Sequence, residues 1–333
     1  MGLIVTLNDV AKLANVSKMT ASRVINHPEQ VTDELKQLVF KAMKELNYQP
    51  NFAAKALAAN TTRIIKLIIL EKVDTVEPYY ATLLMGVAQF LNSHQYALQV
   101  VTQKNAGIGD CDGYIITGAR RDDFEWINEL NRPTILFGEN RHQYDFVDSD
   151  NKYGTFLATS AAINDGYEHI IFFGIDLKES FEYSRERGYM DTMQKAGREP
   201  QIVRFSNHSS QSQNYIQEHW QSFEKNTCFI CSSDRLAIGV ERGIQHMNGQ
   251  IPEEFGITGF DGVFLDQISE PKLTTVKQPV MEMGSKIAEL LLKKITWALP
   301  LDEDHHPNRT NRIEVVFSPE LIRRQTTRNY HLN

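Results

Sequence analysis

The feature that most constrains the fold is a regular alternation of short apolar runs with helical patterns from residue 64 to residue 260. Runs such as residues 64–71 (IIKLIILE) and 169–175 (HIIFFGI) are predicted to be buried strands, and segments such as 79–94 and 153–166 are predicted helices. Such alternation predicts parallel sheets, and two successive sets of these units predict two α/β lobes. Ligands of such sheets bind beyond the carboxyl ends of the strands, so we expect a ligand in the cleft between the lobes.

Charge is distributed unevenly along the chain. The 333 residues carry a net charge of −7, which excludes a uniformly basic nucleic-acid-binding protein. Residues 1–63 contain eight Lys or Arg and five Asp or Glu, a net charge of +3, so the remainder carries −10. A basic head on an acidic body indicates that only the head contacts a polyanion.

The cysteines and apolar runs argue against several other classes of protein. Cys228 and Cys231 have the CxxC spacing, but a metal site or redox pair would also need a second ligand pair or a helix N-terminus. They lie in the apolar run CFICSSD, so we interpret them as small core residues. Residues 1–6 lack the charged region of a signal peptide, and no apolar run approaches the ~18 residues of a membrane span. We therefore expect a cytoplasmic protein without membrane contact.

Motifs of common enzyme classes are not found in the sequence. No GxGxxG follows the first strand, and neither a GKS/T loop nor HExxH is present. His305 and His306 lie in the segment DEDHHP, which is typical of a solvated loop. We therefore expect a protein that is not an enzyme and that holds no cofactor or metal.

The amino-terminal residues predict a helix-turn-helix. Thr6, with Asp9 three residues later, approximates a capping box at the start of a first helix. Asn15 tolerates the left-handed conformation of a tight turn, and Ser17 is the expected N-cap of a second helix that runs to about Asn26. In a helix-turn-helix the second helix lies in the major groove of DNA and leads with its N-terminal residues.

The second helix divides into an apolar side and a polar side. Ala21, Val24 and Ile25 are predicted to face a small core. The polar side is predicted to contact bases or phosphates through Ser17, Lys18, Met19, Thr20, Ser22, Arg23 and Asn26. Arg offers a bidentate fork to guanine, and Met offers an apolar contact to a thymine methyl. The alternative is the solvated face of an ordinary helix.

A third helix follows, and Thr32 is its expected N-cap, with Asp33 and Glu34 complementing the helix dipole. Apolar residues with helical periodicity are predicted to close a three-helix core, namely Leu35, Leu38, Val39, Ala42, Met43 and Leu46. Pro50 ends the pattern. Residues 51–62 favour a helix by composition but are too few to be stable alone, so we expect them to be ordered only when something holds them.

The head, TLNDVAKLANVSKMTASRVINHPEQVTDELKQLVFKAMKELNYQPNFAAKALA, resembles the DNA-binding domain and hinge of the LacI/GalR family of bacterial transcriptional repressors. It departs mildly, with Asn15 where the family usually has Gly and Ala21 where Val is common. The resemblance implies a helix-turn-helix domain over residues 1–49, a hinge helix over 50–62, and an effector-binding and dimerisation domain over 63–333.

The hinge implies a dimer. In the family, two hinge helices enter the minor groove together and a Leu from each wedges into the central base step. Leu57 is the matching position; in the alternative it is a core residue of a globular helix. A dimer implies a pseudo-palindromic operator in double-stranded DNA. The complete set of predicted DNA-contacting residues is Thr6, Ser17, Lys18, Met19, Thr20, Ser22, Arg23, Asn26, Thr32, Tyr48, Asn51, Ala54 and Leu57.

The body carries further motifs of the same family. The segments SDNKYG, SRERGY, SSDRLAIG, GITGFDG, LTTVKQPVMEMG and LIRRQTT resemble its effector domain, which is similar to periplasmic sugar-binding proteins. The implied fold class is α/β, with a three-helix head and hinge helix followed by a two-lobed periplasmic-binding-protein-like domain with parallel sheets. The resemblance also implies that the last strand pair crosses back between the lobes.

One departure in the body is large. Residues 104–111 (KNAGIGDC) stand where the family has a whole helix. A crossover between parallel strands usually needs a dozen or more residues. Either one sheet face of the first lobe is less covered, or a short loop replaces the helix.

The residues predicted to contact an effector are Tyr79, Tyr80, Asp150, Arg185, Ser233 and Asp261. An arginine offers a fork to sugar hydroxyls, a carboxylate accepts from two of them, and paired tyrosines supply an aromatic wall. In the alternatives, Arg185 and Asp261 simply pair with each other across the cleft, the tyrosines are core, and Asp150 is a helix cap. Ser233 stands where some relatives have Asn, which leaves the identity of the ligand open.

These features together predict a homodimeric transcriptional regulator, a repressor of carbohydrate genes controlled by a sugar or sugar phosphate. The alternatives are a solute-binding protein of the periplasmic type, and a regulator that responds to a purine or to a protein partner. For a phosphocarrier protein, a possible partner, no contacting residues can be assigned. The dimer seam is predicted along residues 78–94 and a second-lobe helix (EMGSKIAELLLKKI); the stripe Ile287, Leu290, Leu291 and Ile295 is core in the alternative.

Overall fold

The computed structural model describes residues 5–26, 30–48, 61–71, 78–102, 104, 109–298 and 312–328. Contacts divide the chain into two compact units, Met1–Thr62 and Arg63–Asn333, which are described separately. The described part of the first unit contains α1 (Leu7–Leu13), α2 (Lys18–Asn26) and α3 (Asp33–Glu45).

The predicted caps and turn of the first two helices are confirmed. The backbone N–H of Thr6 donates to Asp9 Oδ2 at 2.9 Å at the start of α1. Asn15 adopts a φ of 52° in the turn, the left-handed conformation that its short polar side chain tolerates. Ser17 Oγ accepts from the backbone N–H of Thr20 at 3.0 Å and caps α2.

The core of the first unit is small. Its buried residues are Val10, Ala11, Ala14, Ala21, Val24, Val39 and Ala42. Leu38 remains 51% exposed, so the prediction that it faces this core is wrong. Short helices in a three-helix bundle bury only a narrow stripe each; on α3 the stripe runs through Val39 and Ala42, and Leu38 lies on its flank.

The second unit alternates strands and helices as predicted. In chain order they are β1 (Ile64–Ile69), α4 (Pro78–Ser93), β2 (Ala97–Thr102), β3 (Gly113–Thr117), α5 (Phe124–Asn128), β4 (Thr134–Phe137), β5 (Phe146–Ser149), α6 (Asn151–Asn164), β6 (His169–Ile175), α7 (Ser180–Lys195), β7 (Gln201–Phe205), α8 (Ser209–Glu218), β8 (Thr227–Cys231), α9 (Asp234–His246), β9 (Phe255–Asp261), α10 (Leu265–Ile268), β10 (Thr274–Lys277), α11 (Val280–Ala298), β11 (Glu314–Phe317) and β12 (Glu320–Ile322).

These elements form two lobes, each around one sheet. The first sheet has the strand order β11-β5-β4-β3-β1-β2, and all its neighbouring strands are parallel. The second has the order β12-β10-β9-β8-β6-β7, parallel except for β12, which pairs antiparallel with β10. Because β11 lies in one sheet and β12 in the other, the predicted return of the chain between lobes is confirmed.

Helix α11 belongs to the first lobe, so its assignment to the second lobe is wrong. It packs against α4 and against β3, β4 and β5 of the first sheet. Its apolar stripe, Ile287, Leu290, Leu291 and Ile295, is buried in the core that contains Ile65 and Leu67. The stripe is therefore part of the core, as in the alternative interpretation. The chain crosses back to the first lobe after β10, and α11 covers part of one face of the first sheet there.

The connection from β2 to β3 is short. These strands flank β1 on opposite sides and both run parallel to it. The described residues of the connection, 104 and 109–112, are not helical. Lys66, which is fully buried in β1, donates from Nζ to the carbonyl oxygen of Gly109 at 2.6 Å. A buried lysine thus fixes the end of this short segment.

The cysteines are core residues as predicted. Cys228 and Cys231 lie in β8 as free, buried thiols, and burial raises the pKa of both. Cys111 is also buried and free. Among the described residues, no helix has the length and apolar character needed to cross a membrane.

Candidate effector site and DNA-reading helix

A cavity of about 410 Å³ lies in the second unit where the carboxyl ends of strands from both lobes meet. Its charged lining residues are Glu71, Arg120, Glu139, Asp148, Asp176, Glu179, Arg185, Arg235 and Asp261. Its aromatic lining residues are Tyr79, Tyr80, Phe124, Phe137 and Phe181. Because the strands in each sheet are parallel, the loops that follow them collect at one edge, and the two edges face each other.

Tyr79 and Tyr80 line the cavity from the first turn of α4. The Tyr79 ring packs edge-on against Tyr80 and Phe137, with centroids 5.9 and 6.2 Å apart. The Tyr80 hydroxyl donates to Glu71 Oε2 at 2.5 Å. Burial, and then nearby carboxylates, raise the pKa of both phenols, so both remain neutral and present rings together with hydroxyl groups.

Arg185 lines the cavity from α7 and is held by buried polar groups. Its Nε donates to Asn151 Oδ1 at 2.8 Å and its Nη1 donates to the carbonyl oxygen of Ser232 at 2.5 Å. The guanidinium carbon lies 3.7 Å from the centroid of the Phe260 ring. Nη2 lies 4.0 Å from Asp261 Oδ1, beyond hydrogen-bonding distance, so this edge is positioned to donate to a ligand.

Asp261 ends β9 with a φ of 127°, in a region that L residues rarely adopt. Its Oδ1 accepts from Gln278 Nε2 at 2.9 Å. Such strain costs on the order of 1–3 kcal/mol and persists where the surroundings impose it, commonly at binding sites. Asp261 and Arg185 both belong to the second lobe, so their loose pairing does not cross the cleft.

The carboxylate of the β5 region that lines the cavity is Asp148, not Asp150. Asp150 Oδ1 accepts from the backbone N–H of Tyr153 at 2.9 Å and caps α6, which is the alternative interpretation of that residue. Asp148 accepts from the backbone N–H groups of Glu139 and Ser149, both at 2.7 Å. Burial nevertheless raises the pKa of Asp148 to about 6.

Ser233 lines the cavity and also caps α9. Its Oγ accepts from the backbone N–H of Leu236 at 3.2 Å and donates to Asn207 Oδ1 at 2.7 Å. Asn207 follows β7 and lines the cavity as well. A serine here therefore presents the Asn207 amide to the cavity in addition to its own hydroxyl.

Contacts between the lobes surround the cavity. Arg120 follows β3 in the first lobe; its Nη2 lies 3.0 Å from Glu71 Oε1, and its Nη1 lies 3.5 Å from Glu179 Oε1 of the second lobe. Ser184 Oγ of the second lobe donates to Glu139 Oε2 of the first at 3.1 Å. A ligand that alters these pairs alters the relation of the two lobes.

In the first unit, α2 presents the side chains expected of a DNA-reading helix. Lys18, Met19 and Arg23 are exposed, with Met19 at 71%. Thr20 and Ser22 are half-buried. The side chains predicted to read base edges therefore lie on the exposed side of α2.

Two family descriptions match the chain. "Bacterial regulatory proteins, lacI family" matches residues 6–51, and "Periplasmic binding protein-like domain" matches residues 159–327. The uncharacterised HTH-type transcriptional regulator YvdE of Bacillus subtilis (strain 168) is 50% identical over 323 residues, 97% of this chain and 99% of that protein. The chain belongs to the LacI family. It is a DNA-binding transcriptional regulator, and the predicted fold class is confirmed.

Solved structures share the fold of this LacI-family chain. The lac repressor dimer bound to operator and the anti-inducer ONPF aligns with a TM-score of 0.75 at 19% identity, covering 98% of this chain and 99% of that one. A complex of the transcriptional regulator CelR with cellobiose aligns with a TM-score of 0.70 at 24% identity, covering 97% and 99%.

Other residues of this LacI-family chain that are predicted to contact DNA lie outside α2. Ser17, Thr6 and Thr32 are exposed at helix starts, and Tyr48 is half-buried against the core of the first unit. The side chain of Asn26 and the positions of Asn51, Ala54 and Leu57 lie outside the described residues.

Sequence reasoning missed several cavity residues, namely Glu71, Arg120, Glu139, Asp148, Glu179 and Asn207. Except for Asp148 in β5 and Glu179 at the start of α7, each follows a strand. The residues that directly follow a predicted strand could have been named as candidates, because ligands of parallel sheets bind at that edge.

Proposed function

We propose that this chain is a repressor of carbohydrate genes whose binding to a pseudo-palindromic operator depends on a sugar held between its two lobes. It acts as a homodimer in which residues 1–49 read the major groove and residues 50–62 form the hinge. Residues 63–333 bind the effector and dimerise. Leu57 is the proposed minor-groove wedge.

The observation that carries the proposal is the convergence of ring faces and hydroxyl-binding groups from both lobes on one cavity. Tyr79 supplies a ring from the first lobe, and Arg185 and Asp261 supply a donor and an acceptor from the second. Sugars need this combination, because their C–H faces pack on rings while their hydroxyls both donate and accept.

The regulatory step is linkage between the cavity and the operator. An effector shifts the protein between two states only by binding one more tightly than the other, and couplings of about 1–3 kcal/mol are typical. Arg120 and Ser184 make contacts across the cleft, so the relation of the lobes is sensitive to what fills it. Both inducer release and corepressor capture are consistent with this geometry.

The test measures binding of the full chain to a labelled duplex from upstream of its own gene by fluorescence anisotropy, with and without sugars. We expect sequence-specific binding that a sugar changes. Arg23→Ala should weaken it by about 5- to 150-fold, because a bidentate base contact contributes about 1–3 kcal/mol. Lys44→Ala, an exposed cation on α3, is the matched control. Equal binding to unrelated duplex, or a response to adenine or hypoxanthine and to no sugar, would contradict the proposal.

A further inference from the structure

The charged groups of the cavity wall are predominantly acidic. Six carboxylates line it, namely Glu71, Glu139, Asp148, Asp176, Glu179 and Asp261, against three guanidiniums, Arg120, Arg185 and Arg235. The difference between six carboxylates and three guanidiniums is a formal net charge of −3 around the space that a ligand would occupy. A carboxylate wall repels an anion and accepts hydrogen bonds from hydroxyl groups.

The three guanidiniums are already engaged by protein groups. Arg120 lies between the carboxylates of Glu71 and Glu179, at 3.0 and 3.5 Å. Arg185 donates to an amide oxygen and a backbone carbonyl, at 2.8 and 2.5 Å. Arg235 Nη1 donates to the carbonyl oxygen of Asn207 at 3.4 Å. Phosphate recognition usually relies on arginines whose forks face the anion, and here each of the three directs at least one of its nitrogen atoms at a protein oxygen.

The size of the cavity is suited to a small ligand of more than one sugar ring. Its volume of about 410 Å³ lies within the range of about 300–1,000 Å³ that is usual for pockets that bind small molecules. This space has room for two linked sugar rings. Rings line it from both sides, with Tyr79, Tyr80, Phe124 and Phe137 in the first lobe and Phe181 in the second.

We propose that the cavity binds an uncharged oligosaccharide of at least two sugar rings and rejects phosphorylated sugars. This inference rests on the proposed function and narrows its effector class. Ring faces pack against the aromatic side chains, and hydroxyls donate to the carboxylates and accept from Arg185 and the two tyrosines. The interlobe group Glu71–Arg120–Glu179 closes the acidic wall and excludes phosphate.

The experiment uses the full chain and matched probes. Thermal unfolding and calorimetry are run with maltose, cellobiose, trehalose, sucrose and lactose, then with glucose, glucose 6-phosphate, trehalose 6-phosphate and sucrose 6-phosphate. We expect at least one uncharged disaccharide to raise Tm and its phosphorylated form to bind at least ~10-fold more weakly. Stronger binding by a phosphorylated sugar or by glucose, or no binding by any uncharged disaccharide, would overturn the inference.

A gain of function tests the acidic wall directly. The double variant Glu71→Gln/Glu179→Gln removes both carboxylates that engage Arg120 and leaves its charge in place. We expect it to gain measurable affinity for trehalose 6-phosphate or sucrose 6-phosphate, whereas Glu125→Gln, an exposed residue of α5, should not. Merely structural carboxylates would lower stability without this gain.

The operator assay separates the two proposals. If a sugar phosphate weakens or strengthens operator binding, the proposed sugar-controlled repressor stands and the inference of an uncharged ligand fails. If sugars of neither kind change operator binding, the proposed function itself fails.

Discussion

Replacing Arg185 with methionine keeps an aliphatic stem of similar length and removes the guanidinium. Two buried acceptors, Asn151 Oδ1 and the carbonyl oxygen of Ser232, then lose their charged donor. An acceptor left unsatisfied in a buried site costs about 1–3 kcal/mol, so we expect the free energy of unfolding to fall by about 2–4 kcal/mol.

The same substitution removes the Nη2 edge that is positioned to donate to a ligand. A hydrogen bond from a charged donor contributes about 1.5–3 kcal/mol, so sugar affinity should fall roughly 10- to 150-fold. Urea unfolding measures the free energy of unfolding. The sugar concentration that produces half of the full change in operator binding measures the sugar affinity.

The matched control is Arg187→Met on the same helix. Arg187 is exposed and its Nε pairs with Asp191 Oδ1 at 2.7 Å, an interaction that contributes little. Both variants are compared at a temperature at which circular dichroism shows them folded. An Arg185→Met protein whose sugar response matches that of Arg187→Met would refute the placement of this guanidinium in the effector site.

Two further predictions concern Asp148 and a helix contact. The folded-state pKa of Asp148, about 6, lies above its ordinary value of 3.8, so its contribution to stability is present below pH ~4 and lost as pH rises to ~6. Urea unfolding should show this loss, up to about 3 kcal/mol, in the unliganded protein and not in Asp148→Asn; identical pH profiles would contradict it. Gly86→Ala should lower stability by about 1–3 kcal/mol, because a Cβ there would meet the carbonyl oxygen of Met281 at 2.1 Å and force α4 from α11. An unchanged Tm would show that the two helices separate at no cost.

Periodicity in the sequence predicts most of the fold, because the buried strands are short apolar runs and covering helices such as α9 and α11 are amphipathic. It does not say which sheet a late helix covers. The stripe on α11 looks the same whether it faces a partner subunit or the first lobe, and only the chain's path after β10 decides.

The sequence predicted those site residues whose side chains suit ligand binding and whose positions match a family motif. Arg185, Ser233 and Asp261 lie at family motifs and line the cavity. The sequence pointed to Asp150, whereas Asp148 lines the cavity, because the exact end of β5 decides which carboxylate faces the ligand. Composition alone does not distinguish a helix cap from a cavity carboxylate two residues away. Arg120 carries no motif; its role arises from meeting Glu71 and Glu179, which are distant in sequence.

The interleaved path of the chain has a consequence for biosynthesis. The first lobe starts at β1, yet its covering helix α11 and its edge strand β11 come from residues 280–317. Folding can follow synthesis from the amino terminus only as far as the required segments have emerged. Helix α4 can pack on Ile65 and Leu67 early, but the part of this apolar sheet face that α11 covers must wait until nearly the whole polypeptide has left the ribosome. A nascent chain stalled after β10 would expose this surface to chaperones, whereas the three-helix head would already be complete.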